Sequence, residues 1–329
     1  MKTPLFAPSK LIVFLEMTEL TNQSKLSPLT LFALTFIVAG FGFTLVGPII
    51  GFFLSVPFFE GSITDQLPKM ADPAGYPEFR LPLYIMQGAA TLIGLGLLPS
   101  LFWFSVEQKG MTSWFAGKKI YGLIVLATLL MTIAFRATNS VFIDWNAHVH
   151  FPEFMKDFET WARDYENRAE GLTKYMTQFS STGEFLFAFF VIAILPAFGE
   201  ELVFRGMLQP QLMRITKNFH ASIWITAALF SAFHLQFFGF VPRLLLGALF
   251  GYLYYWSGNL LMPIFAHFVN NGFSVLMLYL NQKGIVDMDI ESTEAAPWPS
   301  VLIFTLVGGF SLFYYKNFFD RKKKQPDGQ

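Results

Sequence analysis

The chain has 329 residues, of which 53% are hydrophobic and only 14% charged, with 23 basic and 23 acidic side chains and a net charge of zero. A water-soluble domain carries roughly 25% charged residues, so the composition excludes an ordinary soluble protein, and the neutral balance gives no argument for nucleic acid. The absence of cysteine excludes disulfides, iron–sulfur clusters and Cys-ligated zinc.

The apolar residues gather into blocks of about 20, the length that crosses a hydrocarbon core of roughly 30 Å. Read in chain order, the predicted spans are Ser27–Phe58, Leu83–Phe104, Ile120–Phe135, Phe185–Phe204, Ala221–Phe237, Arg243–Trp256, Leu260–Leu280 and Ser300–Phe318. Pro48 and Pro57 mark the first span as kinked or re-entrant, and the sixth is short. The first block is too long for a cleaved signal sequence. The fold class expected is therefore an all-α, polytopic transmembrane bundle of about eight spans.

Charge predicts orientation. Lys109, Lys118 and Lys119 follow span two; Arg205, Arg214 and Lys217 follow span four; Arg321, Lys322, Lys323 and Lys324 follow span eight. Acidic residues follow the odd spans: Glu60, Asp65, Asp72 and Glu78, then Asp287, Asp289, Glu291 and Glu294. Since Lys and Arg are enriched on the cytoplasmic side, the reading is a multi-pass protein of the cell or plasma membrane with both termini cytoplasmic. The connection 136–184 differs from the others. Phe151, Phe154, Met155, Phe158, Trp161, Tyr165, Ala169, Leu172, Tyr175 and Phe179 recur at helical spacing among charges. That pattern predicts an amphipathic helix between spans three and four, lying in the outer interface or across the bundle mouth. It serves either as a structural lid or in admitting substrate. The last six residues read as disordered.

Ionisable side chains at bilayer depth are costly and usually mark function. Span four ends in Phe198-Gly199-Glu200-Glu201-Leu202-Val203-Phe204-Arg205, span five holds Phe230 and His234, and span seven holds His267, Asn270 and Asn271. Glu201 and Arg205, four apart, share a helix face and can pair. Glu200 is rotated about 100° away, a carboxylate without a fixed cation and so suited to act as a general base. His267 and Asn271, also four apart, can reach one spot, and Phe230 can wall it. Glu200 with His234 would activate and orient a water, and His267 with Asn271 would stabilise an oxyanion. A polar cavity on the cytoplasmic side, near the end of span four, would admit the water. Each set alone also has a plain reading: a solvated charge cluster, a packed histidine, or interhelical glue. His148 and His150 read as surface residues, and His220 as an interface residue.

The ordered motifs Glu200-Glu201-xxx-Arg205-Gly206, Phe230-xxx-His234 and His267-xxx-Asn271 resemble those of the CPBP intramembrane protease family. That family takes in CAAX prenyl proteases, bacteriocin-processing and Abi proteins. The resemblance covers about residues 185–280 and implies an eight-helix bundle with endopeptidase activity. It further implies Glu200 as base with His234, and an oxyanion pocket from His267 and Asn271. Glu201, Arg205 and Phe230 are supporting residues. The organisation expected is a cytoplasmic segment 1–26, N-terminal spans and amphipathic connection 27–182, a catalytic core 183–282, and a last span with basic tail 283–329. No cofactor is favoured. The alternative is zinc on Glu200, His234 and His267, although the HExxH spacing of zincins is absent. The partners implied are the lipid bilayer and a membrane-associated or prenylated peptide or protein substrate, without nucleic acid. A non-proteolytic scaffold or immunity protein, and a transporter, are the other readings.

Overall fold

Ser27 starts the first helix: its hydroxyl accepts the Thr30 amide, and Pro28 takes a first-turn position that needs no amide donor. The computed structural model describes residues 26–108, 111–115, 119–287 and 292–324, and among these the chain has helices and no strands. The N-terminal segment before Leu26, the residues Lys109, Lys118, Asp289 and Glu291, and the tail beyond Lys324 lie outside the described residues.

The long helices are α1 (Pro28–Phe58), α3 (Pro77–Glu107), α4 (Gly122–Ala147), α6 (Thr182–Thr216), α9 (Leu261–Gln282) and α10 (Trp298–Lys324). These six are long and apolar enough to cross a membrane. The shorter ones are α2 (Ile63–Ala71), α5 (Lys156–Met176), α7 (Phe219–Phe233) and α8 (Phe240–Ser257). The molecule is thus a polytopic membrane bundle in which six of the eight expected spans meet the length and hydropathy of a crossing. At 15 and 18 residues, α7 and α8 reach about 22 and 27 Å, short of a full hydrocarbon core. Exposed Ile37 and Phe53 on α1, and Leu306 and Phe310 on α10, give the bundle an apolar flank suited to lipid.

Three boundaries differ from the sequence reading. The first span is one unbroken helix, with a wide π turn at Gly42–Val46 and a tight final turn at Val56–Phe58. Helix α4 runs twelve residues past Phe135, because the polar groups in its last turns are satisfied inside the protein. Arg136 bonds Asn270, Asn139 bonds the Pro242 carbonyl, and Asn146 bonds the Phe237 carbonyl. Helix α7 stops at Phe233 rather than Phe237, since Leu235 turns left-handed (φ 56°).

Small residues set how closely the helices approach. A Cβ on Gly94 would lie 2.4 Å from the Phe43 backbone, and one on Gly47 2.5 Å from the Ala90 Cα. So α1 and α3 meet backbone to backbone. Helix α3 in turn packs Leu95 and Thr91 against Gly199, the residue before the glutamate pair.

The connections sort by charge. At one end, Lys119 offers its carbonyl to Asn259, Lys322 reaches the Tyr121 hydroxyl, and α6 ends at Arg214 and Lys217. At the other end, Tyr175 bonds the Tyr76 carbonyl, Arg80 pairs with Glu184, and Gln282 links to Phe179 and Thr177. Helix α5 lies across this second end. Phe158 and Trp161 meet Phe237 edge-on, and Ala162, Tyr175 and Met176 are buried, whereas Phe154 is 85% exposed and Leu172 is exposed too. The apolar stripe expected from 151 to 179 therefore narrows to the part that meets the α7–α8 connection and the end of α3.

Glu159 ties the start of α5 down, accepting the Phe151 amide at 2.8 Å and pairing with Arg163 and His150. The Phe151 amide, then Arg163, hold its carboxyl down to about 2. A carboxyl lowered in the folded state contributes stability above its ordinary value near 4.3, and loses it as pH falls through about 2. Pepsin should therefore spare the 148–155 segment at pH 3.5 and cut it below about pH 2. Glu159→Gln should be cut at pH 3.5 already, and identical profiles would refute the tie.

Candidate active site

Helix α6 carries the two glutamates at its middle, not near its end: Thr182–Thr216 is one 35-residue helix, with Glu200 and Glu201 about halfway along. The expected stop after Phe204 does not occur. Arg205, read in the sequence as a cytoplasmic loop charge, is wholly buried, and Gln209 and Gln211 beyond it are buried too. The helix continues because each of these heads finds a partner: Arg205 on the Gly247 carbonyl, Gln209 on the Gly251 carbonyl, and Gln211 on Arg214.

Glu201 is the hub. Its Oε1 accepts from Arg205 Nη1 at 2.7 Å and from His267 Nδ1 at 2.9 Å, and the Glu201 and Arg205 side chains are fully enclosed. Arg205 also donates to the Gly247 carbonyl at 2.7 Å, its guanidinium lying against the rings of Phe230 and Phe250. The Gly247 carbonyl is within reach because a glycine there lets α8 touch the Ala227 backbone of α7. His267 is therefore fixed by its partner and by its flanks: the ring stacks on Phe250 and meets Phe230 edge-on. With Nδ1 donating to Glu201, only Nε2 is left to face the neighbouring carboxylate, and it lies 3.9 Å from Glu200 Oε2. That oxygen is buried and has no hydrogen-bond partner.

His234 is the residue that caps α7, not one inside a span. Its Nδ1 bonds the Phe230 carbonyl at 2.9 Å, so the proton sits on Nδ1 and Nε2 carries the lone pair. Its ring lies 5.2 Å from that of Phe230, which also touches the His267 ring, so Phe230 links both histidines.

Asn271 is oriented by a relay that the sequence reading missed. Arg136 Nη1 donates to the Asn270 carbonyl and side-chain oxygens at 3.0 and 3.2 Å. Arginine can only donate, so Asn270 must turn its amide nitrogen the other way, and that nitrogen donates to Asn271 Oδ1 at 3.1 Å. Asn271 is left with its NH2 group as the unengaged end, the end an oxyanion needs. In the sequence Arg136 falls at the start of a predicted loop and Arg243 at a predicted span boundary, so hydropathy gives neither a functional signal. Arg243 lies within electrostatic reach of Glu200 and His234. His148 meets Asp144, His150 meets Glu159, and His220 meets Tyr252, all three being exposed and remote from these groups.

Glu201 from α6, His234 from the tip of α7 and His267 from α9 thus gather around Phe230 and Arg205, with Glu200 3.9 Å from His267. Residues 182–273 match the Rce1-like family of type II CAAX prenyl endopeptidases. The Rce1-like segment runs from the start of α6 into α9 and contains every site residue from Glu200 to Asn271, but neither Arg136 nor α5. The uncharacterised protein YpbD of Bacillus subtilis (strain 168) is 33% identical over 82 residues, which are 24% of this chain. The chain spans 39% of the length of that relative. No solved structure matches.

Among the described residues no three His, Asp or Glu side chains converge closely enough to hold a metal ion. Of the three zinc ligands considered, Glu200 and His267 approach each other, with Nδ1 of His267 engaged by Glu201.

Removing one partner of a buried pair strands the other charge and costs about 3–5 kcal/mol. Arg205→Met should therefore lower stability by an amount of that order, measured by unfolding in detergent. A loss under about 1 kcal/mol, the level of an exposed pair, would show that the Glu201–Arg205 contact does not organise the core.

Proposed function

We propose that this chain is an intramembrane endopeptidase that hydrolyses a peptide bond with a glutamate-activated water and without metal. The observation that carries the reading is the approach of His267 Nε2 to an unpartnered Glu200 carboxylate, inside the segment that matches the Rce1-like family. Glu200 removes a proton from water as the water oxygen bonds the scissile carbonyl carbon. His234, with its lone pair on Nε2, accepts the other water hydrogen and holds the water in line. The carbonyl oxygen becomes an oxyanion and takes hydrogen bonds from the Asn271 amide and from His267 in its doubly protonated form. Glu201 fixes the ring by accepting the Nδ1 proton. As the carbon–nitrogen bond breaks, Glu200 returns its proton to the leaving amine. Arg205 neutralises Glu201 and so keeps it from serving as a second base.

The substrate proposed is a membrane-associated or prenylated peptide or protein, as the family's description implies. The Lys- and Arg-rich end of the bundle, with the basic tail, is assigned to the cytoplasm.

The test is cleavage of a quenched prenylated peptide by the detergent-purified protein. Glu200→Gln should lower kcat by about 10²–10⁴-fold, and a zinc chelator should leave wild-type cleavage unchanged. Loss of cleavage on chelation, restored by zinc, would overturn the metal-free mechanism, and full activity in Glu200→Gln would overturn the role of that residue.

Arg136 acts through Asn271 rather than on substrate. Asn271→Ala should cost about 10²–10³-fold in kcat. In a double-mutant cycle Arg136→Ala should couple to it by about 0.5–3 kcal/mol, with KM little affected and part of the loss rescued by Arg136→Lys. Strict additivity would reduce Arg136 to a packing residue.

A further inference from the structure

Arg243 is a buried cation that the mechanism above leaves unused. Its Nη2 donates to Gln236 Oε1 at 2.7 Å, a neutral acceptor, and its Nη1 is enclosed without any hydrogen-bond partner. Gly239 lies directly over the guanidinium, where a Cβ would sit 3.0 Å from Nη2. Glu166, Glu200 and His234 lie within electrostatic reach, yet among the described residues no carboxylate forms an ion pair with Arg243. Holding a guanidinium in such a place with one donor unsatisfied costs free energy that the resting protein does not recover.

Gln236 also has a second position in the architecture. It lines a cavity of about 460 Å³ walled by Arg163, Glu166, Asn167 and Glu170 of α5, Phe238, and Ser274 of α9. That volume falls in the range of small-molecule and peptide sites. Ser274 is one turn beyond Asn270 and Asn271, so the cavity descends along α9 from the α5 end toward the catalytic groups. Its walls are not uniformly acidic. Glu166 is committed to the Phe238 amide at 3.0 Å, and Glu170 pairs with Lys174 at 2.9 Å. Gln236 therefore both lines this cavity and accepts from Arg243, connecting the two.

We propose that Arg243, with Gln236 as its movable cover, is a subsite for a carboxylate of the substrate, reached through the cavity beneath α5. A guanidinium matches the planar carboxylate with two parallel N–H donors, and the unengaged Nη1 is available for one of them. The carboxylate comes either from the end of the peptide chain or from an acidic side chain. Recognition of this kind would place the scissile bond by its distance from an anion. The proposal deepens the endopeptidase reading and rests on it for the nature of the ligand.

The test is binding, read without turnover. Three fluorescein-labelled peptides share one apolar sequence and end in a free acid, an amide, or a glutamate followed by an amide. Each is titrated into the full-length detergent-purified Glu200→Gln protein by fluorescence anisotropy. The free acid should bind about tenfold or more tightly than the plain amide, a difference of about 1.4 kcal/mol. In Glu200→Gln/Arg243→Gln that ratio should fall to within about twofold. If the glutamate amide binds like the free acid, the subsite takes a side-chain carboxylate; if it binds like the plain amide, the subsite takes the chain terminus. Equal binding of all three peptides to the protein that retains Arg243 overturns the proposal, whether or not the Arg243→Gln variant folds. Preference for a carboxylate in a protein that cleaves nothing would sink the endopeptidase reading and leave the subsite standing.

Discussion

The arrangement of the site depends on one buried ion pair. Arg205 and Glu201 sit on the same face of α6, and their two heads gather the neighbouring helices: Arg205 takes the Gly247 carbonyl of α8, and Glu201 takes His267 of α9. An enclosed pair of this kind is a poor source of net stability, because desolvating both charges offsets most of their attraction. Its value is geometric. A guanidinium at 2.7 Å from both a carboxylate and a backbone carbonyl, between two phenyl rings, cannot rotate without losing several contacts together. The rotation of α6 about its axis follows from this, and so does the direction in which Glu200 faces.

Two adjacent glutamates consequently have opposite surroundings. One Glu201 oxygen is shared between a guanidinium and an imidazole, so this carboxylate serves as a fixed anion. Glu200, one residue earlier and about 100° around the helix, makes no hydrogen bond to a cation and has an imidazole nitrogen at 3.9 Å, while the second Glu201 oxygen, like Glu200 Oε2, is buried without a partner. Exchange of the two residues would reverse those roles. The histidines divide in the same way: His267 is held at Nδ1 by a carboxylate and His234 at Nδ1 by a main-chain carbonyl. Oxyanion donation is accordingly assigned to the first and acceptance of a water hydrogen to His234.

Much of the molecule was legible in the sequence because hydrophobic blocks and i, i+4 spacings are local signals. The helix order, the amphipathic α5 and the Glu201–Arg205 pairing all follow from such spacings. Depth and termination are not local, and there the reading departs from the structure. Arg205 looked like the first charge after a span, but a cation ends a membrane helix only when water is its best partner, and here Gly247 and Glu201 take that place. Arg136 looked like the start of a loop for the same reason, and Asn270 retains it within α4. His234 looked like an interior residue because Leu235, Phe237 and Phe238 continue the apolar run, while the left-handed turn at Leu235 is invisible in composition. Each error came from assigning a polar or apolar side chain to its average solvent; for Arg205 and Arg136 the deciding partners, Gly247 and Asn270, lie 42 and 134 positions away.

The side from which the site is reached follows from this geometry as well. The sequence reading placed a water-admitting cavity at the cytoplasmic end, by Glu200. In the structure Glu200 lies midway along α6, and a cavity lined by Gln236 lies under α5. Lys119, Lys217 and Lys322 lie at the opposite end of the bundle. The α7–α8 tip accounts for the difference. Helix α5 covers this tip, with Phe158 and Trp161 meeting Phe237 edge-on. If the basic end is cytoplasmic, as its charges indicate, the face beneath α5 is the outer one. A peptide that enters there must pass Glu166 and Glu170 before it meets Arg243, so selection by charge precedes selection by the scissile bond.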